Sequence, residues 1–131
     1  MYSTLENIAE IGLGASTHGR SVVGHGDSKL RLINIKDIRV GYVESREIEQ
    51  IPVSDTEKVS RYMVREDDVL VTLRGSAFRA ALVGPGEDGA IISSNLAYLR
   101  LKHGAPISSL VLCAWLNSPD GKAQAELLQH G

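Results

Sequence analysis

The fold is decided by the stretch Arg65-Glu66-Asp67-Asp68-Val69-Leu70-Val71-Thr72-Leu73-Arg74-Gly75-Ser76. Three acidic residues open it, an apolar run follows, and a basic turn that contains glycine ends it. From Val69 to Arg74 the side chains alternate with a period of two and include β-branched residues, which predicts a strand buried on one face and partly buried on the other. Gly75 frees the backbone where cationic and hydroxyl-bearing side chains emerge. The stretch therefore predicts a rigid strand that ends in a recognition loop.

Length and composition limit the classes of protein to consider. The 131 residues suffice for one domain, 1–131, which we expect to be strand-rich over 1–104 and helical over 105–131. A formal charge of -2 gives no overall attraction to nucleic acid, so any such binding must come from a local patch. Cys113 lies in an apolar run, which predicts a buried thiol. Because no segment has the ~18 apolar residues of a membrane span and no leader opens the chain, we expect a cytoplasmic protein with no membrane partner.

The predicted strands are short and separated by turns. The apolar residues of 1–13 predict a strand that runs into a glycine turn, with a one-turn helix as the alternative. A strand is expected over Lys29–Ile35, and a second extended run over Val40–Ile51 that Pro52 ends. Later strands are expected over the apolar stretches 78–83, 90–95 and 96–101. The sequence therefore predicts an α+β fold, with a twisted, mostly antiparallel sheet and C-terminal helices that cover one side.

Three helices are predicted. The first opens at Ser54 in a capping-box pattern and runs to about Tyr62. In this pattern Ser54 caps the helix, and the Glu57 side chain accepts the backbone N–H of Ser54. The second, Ile107–Leu116, is apolar nearly all round, which predicts burial with Trp115 in the core. The third begins with Ser118 as N-cap and proline in the first turn.

Residues 14–27 are small, polar and rich in glycine, without periodicity. Such a segment predicts a long exposed loop, and loops of this length are usually either functional or disordered. It carries His18, Arg20 and His25, opposed by Asp27 alone. Histidines here are expected to be solvated or to contact phosphate rather than to bind a metal.

The charges are sorted along the chain. Residues 18–80 hold 11 of the 14 Lys and Arg residues, and no carboxylate lies between Val69 and Gly86, where Arg74 and Arg79 occur. A mildly acidic protein with this pattern could still present one positive face. The alternative is that these are ordinary solvated charges on strand edges.

The sequence lacks the constellations that catalysis requires. Its four histidines are scattered and do not have zinc-ligand spacing. The acidic run Glu66–Asp68 lacks further oxygen ligands at calcium-loop spacing and is expected to be a solvated turn. The glycine motifs lack the lysine and following helix of a phosphate loop. We therefore expect a protein that is not an enzyme and has no metal and no cofactor.

Taken in order, these motifs resemble the target-recognition domain of the specificity subunits of type I restriction-modification systems. The resemblance begins with Leu30–Ile38 followed by Gly41, and continues with the acidic turn and strand Asp67–Gly75. Each motif is weak alone, but the ordered set is fairly specific. The remaining matches, in chain order, are Ala80, Leu82 and Val83; Ser93, Ser94 and Asn95; Leu99–Leu101; Leu116–Pro119; and Gly131.

The chain departs from the family in two respects. Family domains continue past the final glycine into a further strand and a spacer helix and usually occur twice, whereas this chain stops at Gly131. We therefore expect a fragment, an excised domain or a stand-alone relative. The family commonly has glycine where this chain has Asp67, a change that we expect a turn to tolerate.

The resemblance implies a non-catalytic protein that recognises one half of a split target in duplex DNA. In the family, a methyltransferase subunit docks beside this domain and modifies an adenine with S-adenosylmethionine, and a motor-nuclease restriction subunit joins for cleavage. Phosphates would be held by Arg and Lys, and base edges contacted by Arg, Asn and Ser. The residues expected to contact DNA are Ser16, Thr17, His18 and Arg20; Asn34 and Lys36; Arg74, Ser76 and Arg79; and Ser94 and Asn95.

Alternatives stay open for two residues and for the function. Asn34 could equally stabilise its turn. Arg74 could equally pair with Asp67 or Asp68. For the function, the alternative is a protein-interaction module that docks a methyltransferase subunit or forms a homodimer without recognising DNA. The net charge of -2 motivates that alternative.

Overall fold

The structure is a computed structural model that describes residues 5–16, 23–75 and 77–130. Its strands all precede residue 102, and two helices follow, so the predicted α+β class is confirmed. Within the described ranges the helices and strands are α1 Leu5–Ile8, β1 Ala9–Leu13, β2 Val23–Ile33, β3 Gly41–Tyr42, β4 Glu49–Val53, β5 Val69–Thr72, β6 Ala80–Leu82, β7 Ile91–Ile92, β8 Leu96–Leu101, α2 Ser109–Asn117 and α3 Pro119–His130. Short 3-10 turns cover Ile35–Asp37, Ser60–Tyr62 and Pro85–Glu87.

The strands form two sheets, where the sequence predicted one. The larger sheet has the order β1-β8-β5-β6-β3, and the smaller has the order β4-β2-β7. Pairing is antiparallel except between β3 and β6 and between β2 and β7. The turn at residues 93–95 separates β7 from β8, so these two adjacent segments enter different sheets.

The larger sheet is the central layer of the protein. One of its faces packs on the smaller sheet, through a cluster that includes Leu70, Leu96 and Ile92. Its other face packs on α2, through a cluster that includes Val71 and Leu112. All four residues of β5 are buried as a result, so the face predicted to be only partly buried is buried as well. Each fully buried aliphatic side chain of this kind contributes about 1.5–3 kcal/mol to stability.

Three predicted boundaries are wrong. β2 begins at Val23 rather than Lys29, so the predicted loop over 14–27 is shorter, and the 3-10 turn at Ile35–Asp37 follows β2. The extended run predicted over 40–51 is interrupted by turns, which leave β3 and β4 as separate strands. Pro52 lies inside β4 instead of ending it. Because β4 is an edge strand, a residue without a backbone N–H is tolerated there.

The helix predicted from Ser54 to Tyr62 is instead a series of turns with a 3-10 turn at its end. Asp55 caps these turns, because its Oδ1 accepts the backbone N–H groups of Glu57 at 3.0 Å and Lys58 at 3.3 Å. A local side-chain acceptor can hold such a turn without a following helix.

Helix α2 is buried on one side only. Leu112, Cys113 and Leu116 face the sheet, and burial raises the pKa of the Cys113 thiol, as expected for a buried cysteine. Trp115, predicted to be in the core, is 48% exposed, because no layer covers the outer side of α2 in the described structure. Helix α3 starts as predicted, with the Ser118 hydroxyl accepting the N–H of Gly121 at 3.2 Å.

Asp68, predicted to be solvated, forms a buried ion pair at the start of β5. The Arg100 guanidinium donates to both of its carboxylate oxygens, at 2.9 and 2.8 Å. The Asp68 side chain is 2% exposed and the Arg100 side chain is 18% exposed. The Asp68 carboxylate also accepts the N–H of Arg65 at 2.9 Å, and its hydrogen bonds raise the pKa of Arg100. This pair joins β5 to the neighbouring strand β8.

We predict that Asp68→Asn lowers the free energy of unfolding by about 3 kcal/mol, because it leaves a partly buried guanidinium without its counter-charge. Urea denaturation of this variant, of Arg100→Met and of the double variant measures the coupling. The double variant should be less destabilised than the sum of the single changes. Additive losses would contradict a direct interaction between the two side chains.

Asp67 has a backbone φ of 74°, in the left-handed region that favours glycine. This geometry explains why glycine suits the position, and the turn does accommodate aspartate.

We predict that Asp67→Val lowers the free energy of unfolding by about 1–2 kcal/mol, whereas Asp67→Gly is not destabilising. Glu66→Val, at an exposed neighbour with ordinary φ, is the control. Equal losses for the two valine variants in urea denaturation would contradict backbone strain as the cause.

Candidate nucleic-acid interface

The order of strands in the larger sheet brings several loops to one end. The C-terminal ends of β1 and β5 lie beside the N-terminal ends of β8 and β6, as the pairs Leu13–Ala97, Thr72–Leu96 and Val71–Ala80 show. β3 starts at the same end, because it runs parallel to β6. We call this end the loop edge, and it comprises residues 14–16, 34–40, 73–75, 77–79 and 93–95.

Backbone hydrogen bonds tie the loops of this edge to one another. The N–H of Leu73 donates to the carbonyl of Asn95 at 2.8 Å, and the N–H of Ala15 donates to the carbonyl of Ile92 at 2.8 Å. At Gly14, a Cβ atom would lie 1.8 Å from the carbonyl oxygen of Ser93, so only glycine fits. The loop edge is therefore held together by close main-chain contacts.

The turn over 34–38 carries two of the predicted DNA contacts. The buried Asp37 carboxylate accepts the backbone N–H of Asn34 at 2.9 Å and the Nζ group of Lys36 at 2.8 Å. Lys36 also donates to the carbonyl of Glu47 at 3.0 Å, yet its side chain is 55% exposed. The Asn34 amide nitrogen lies 3.5 Å from a carboxylate oxygen of Glu49. Both side chains thus help to fix the turn and remain at the surface.

Arg74 is exposed at the tip of the loop after β5. Among the residues that the structure describes, it forms no ion pair. Asp67 and Asp68 lie at the other end of β5, roughly 20 Å away at about 3.3 Å per residue. The alternative of an ion pair between Arg74 and either carboxylate is therefore wrong.

Arg79 is half-buried and points inward, towards the turn at 34–38. Its guanidinium donates to the backbone carbonyl of Ile38 at 3.0 Å and to that of Ile35 at 3.3 Å. Its backbone N–H donates to the hydroxyl of the buried Thr72 at 3.0 Å. The sequence indicated a cation here but carried no sign of the two carbonyl acceptors, because they lie 41 and 44 residues away along the chain.

The other predicted contacts divide into two groups. Ser16 and Ser94 are exposed at the loop edge, and Asn95 is half-buried there. The remaining ones, Thr17, His18, Arg20 and Ser76, lie outside the described residues.

Sequence reasoning missed Arg39, which is exposed at the loop edge directly before β3. Its guanidinium donates to the carbonyls of Lys36 and Ile38, which places a further cation on the turn. Its nearness in sequence to Lys36 and Gly41 was the signal that could have identified it. Val40, beside it, is 58% exposed.

One carboxylate close to the turn at 34–38, that of Glu44, is paired with an arginine. Glu44 donates its backbone N–H to the carbonyl of Asp37, and its side chain accepts from Arg46 at 2.9 Å. The hydrogen bonds from the side chain and backbone of Arg46 lower the pKa of Glu44, and the side-chain hydrogen bond raises that of Arg46. Among the described side chains, neither Arg74 nor Arg39 forms an ion pair, although the charge of Arg39 also helps to lower the pKa of Glu44.

A second surface feature is an apolar groove of about 650 Å³ between the larger sheet and the C-terminal helices. Leu73 and Leu99 line its floor, and Trp115 and Leu116 line its helical side.

Over the described ranges, no three His, Cys, Asp or Glu side chains are grouped to hold a metal ion. None of the helices described is long and apolar enough to cross a membrane.

This is an α+β domain that gathers cationic and hydroxyl-bearing loops at one end of a doubly covered sheet. No protein-family model matches the chain, and no curated protein matches it. Among solved structures, it is similar to the HsdS subunit from Thermoanaerobacter tengcongensis, with a TM-score of 0.53 and 17% sequence identity. The match covers 94% of this chain and 27% of that one. The resemblance drawn from motif order is thus confirmed at the level of the fold.

Proposed function

We propose that this chain is a DNA-recognition domain of the kind found in type I restriction-modification specificity subunits, and that it binds duplex DNA through the loop edge. The observation that carries the proposal is the convergence of predicted contact residues at one end of the larger sheet. The fold likeness to an HsdS subunit supports it. The residues proposed to contact DNA at this edge are Ser16, Asn34, Lys36, Arg39, Arg74, Ser94 and Asn95.

Arg74 is the side chain best suited to contact DNA first. It is exposed, and its loop follows β5, whose four residues are buried on both faces. A rigid base lowers the entropy lost when the loop binds. A guanidinium in this position can contact a phosphate, or donate in bidentate fashion to the O6 and N7 atoms of guanine in the major groove.

The turn at 34–38 supplies a second group of contacts. Lys36 and Arg39 are both exposed and lie within one short turn, so together they can span neighbouring phosphates. Ser94 and Asn95 lie on the adjacent loop and offer hydroxyl and amide groups for base edges. Thr17, His18, Arg20 and Ser76 remain proposed contacts.

The proposed domain is non-catalytic and acts with other subunits in the cytoplasm. It would position a methyltransferase subunit, which uses S-adenosylmethionine, and through that subunit a restriction subunit. Since the chain spans 27% of the length of the HsdS subunit that it matches, these partners belong to the proposal for a larger assembly.

A second candidate function is docking of a protein partner without DNA, either a methyltransferase subunit or a second copy. The apolar groove beside Trp115 favours it, because a half-exposed tryptophan at the rim of an apolar groove is typical of protein interfaces. Light scattering with and without a methyltransferase subunit tests for this complex, and a complex that forms but does not bind duplex DNA would favour this candidate over DNA recognition.

We predict salt-sensitive binding of the isolated chain to a mixed-sequence duplex of about 30 base pairs, with a dissociation constant no better than roughly micromolar. Arg74→Met should weaken binding and make the slope of log K against log salt less negative by about 1, because one phosphate contact is lost. Fluorescence anisotropy at several salt concentrations measures both quantities.

Arg65→Met is the matched control, because Arg65 is an exposed arginine at the opposite end of β5. It should leave the affinity and the slope unchanged. Equal effects of the two substitutions, or binding that does not depend on salt, would contradict recognition through the loop edge.

A further inference from the structure

We propose that Arg79 is a positioning residue for DNA recognition, which fixes the turn at 34–38 relative to the loop at 73–75 and does not itself contact DNA. This inference rests on the proposed function and assigns a role within the same edge. Composition alone indicates a further phosphate-binding cation at this position. The contacts of the side chain indicate a different role.

The backbone of Arg79 is anchored to the buried strand β5. Its N–H donates to the Thr72 hydroxyl at 3.0 Å, and its carbonyl accepts the N–H of Thr72 at 3.1 Å. Thr72 is 0% exposed. The start of the Arg79 side chain is therefore fixed to a fully buried strand of the larger sheet.

The other end of the side chain holds the turn. Nε donates to the carbonyl of Ile38 at 3.0 Å, and an Nη group donates to the carbonyl of Ile35 at 3.3 Å. Hydrogen bonds from an ionised donor are about twice as strong as neutral ones. The guanidinium presents several donors in one plane, which a lysine ammonium cannot reproduce.

The turn and the loop after β5 also touch each other directly. Gly75 has a φ of 107°, and a Cβ atom built on it would lie 3.2 Å from the Cδ1 atom of Ile35. Arg74 precedes Gly75, and Lys36 follows Ile35. Arg79 therefore sets the spacing between the two groups of cations that the proposed function assigns to DNA.

Direct contact and positioning predict different results for a substitution that keeps the charge. If Arg79 bound a phosphate, Arg79→Lys would retain most of the affinity, because lysine also neutralises phosphate. If Arg79 positions the turn, Arg79→Lys weakens binding almost as much as Arg79→Met, because an ammonium cannot reproduce the planar pair of hydrogen bonds to the two carbonyls. The charge of residue 79 would then matter little.

The test measures DNA affinity and amide hydrogen exchange for wild type, Arg79→Lys and Arg79→Met, with a mixed-sequence duplex as the probe. We expect both variants to bind about tenfold more weakly, the loss expected for charge-assisted hydrogen bonds. In the free proteins, the amides of Asp37 and Ile38, which are hydrogen-bonded within the turn, should exchange at least about tenfold faster. The amide of Leu70, in β5, should stay protected. The control Arg74→Lys, at an exposed arginine, should leave the exchange of the turn unchanged.

Three other results would each contradict a positioning role for Arg79, and each has a different cause. Wild-type affinity and protected turn amides in Arg79→Lys would show direct contact by charge, and would leave the proposed function standing. Loss of protection at Leu70 as well would show that Arg79 supports the whole sheet. Failure of the wild-type chain to bind any duplex, at low salt, would remove the proposed function and this inference with it.

Discussion

The constraint on which this structure depends is the burial of β5 on both faces. The smaller sheet covers one face and α2 covers the other, so all four residues of Val69–Thr72 are buried. A strand in the middle of such a stack is rigid, because every side chain is packed and its neighbours pair with it on both sides. Polar and charged groups of this segment can therefore act only at its two ends.

The two ends have different chemistry. At the start of β5, Asp68 and Arg100 satisfy each other in a bidentate pair, with little exposed surface left for a ligand. At the end of β5, Thr72 binds the backbone of Arg79, and Arg74 projects into solvent. One end thus fixes the sheet, and the other presents cations whose spacing is set by main-chain contacts between loops. An overall charge of -2 is compatible with such an end, because binding depends on the local field.

The sequence was sufficient for the features that depend on local pattern. The existence of strand β5, the Ser118 cap of α3 and the burial of Cys113 each follow from residues close together in the chain. The features it could not provide depend on distant partners. Asp68 looked like a solvated acid because Arg100 is 32 residues away, and Arg79 looked like a free cation because its acceptors are carbonyls 41 and 44 residues away. Every residue has a backbone carbonyl, so the pattern of side chains in the sequence does not predict which carbonyl groups a guanidinium donates to.

A titration with a mixed-sequence duplex, in which the backbone amide chemical shifts of the whole chain are followed, would locate the surface that DNA contacts. The expected result is a set of perturbations concentrated at residues 34–40, 73–75 and 93–95. Amides at the other end of the larger sheet, at 65–68 and 84–89, should not move. Perturbations centred on those distant residues or on the groove beside Trp115, or the absence of any perturbation at low salt, would contradict recognition of DNA through the loop edge.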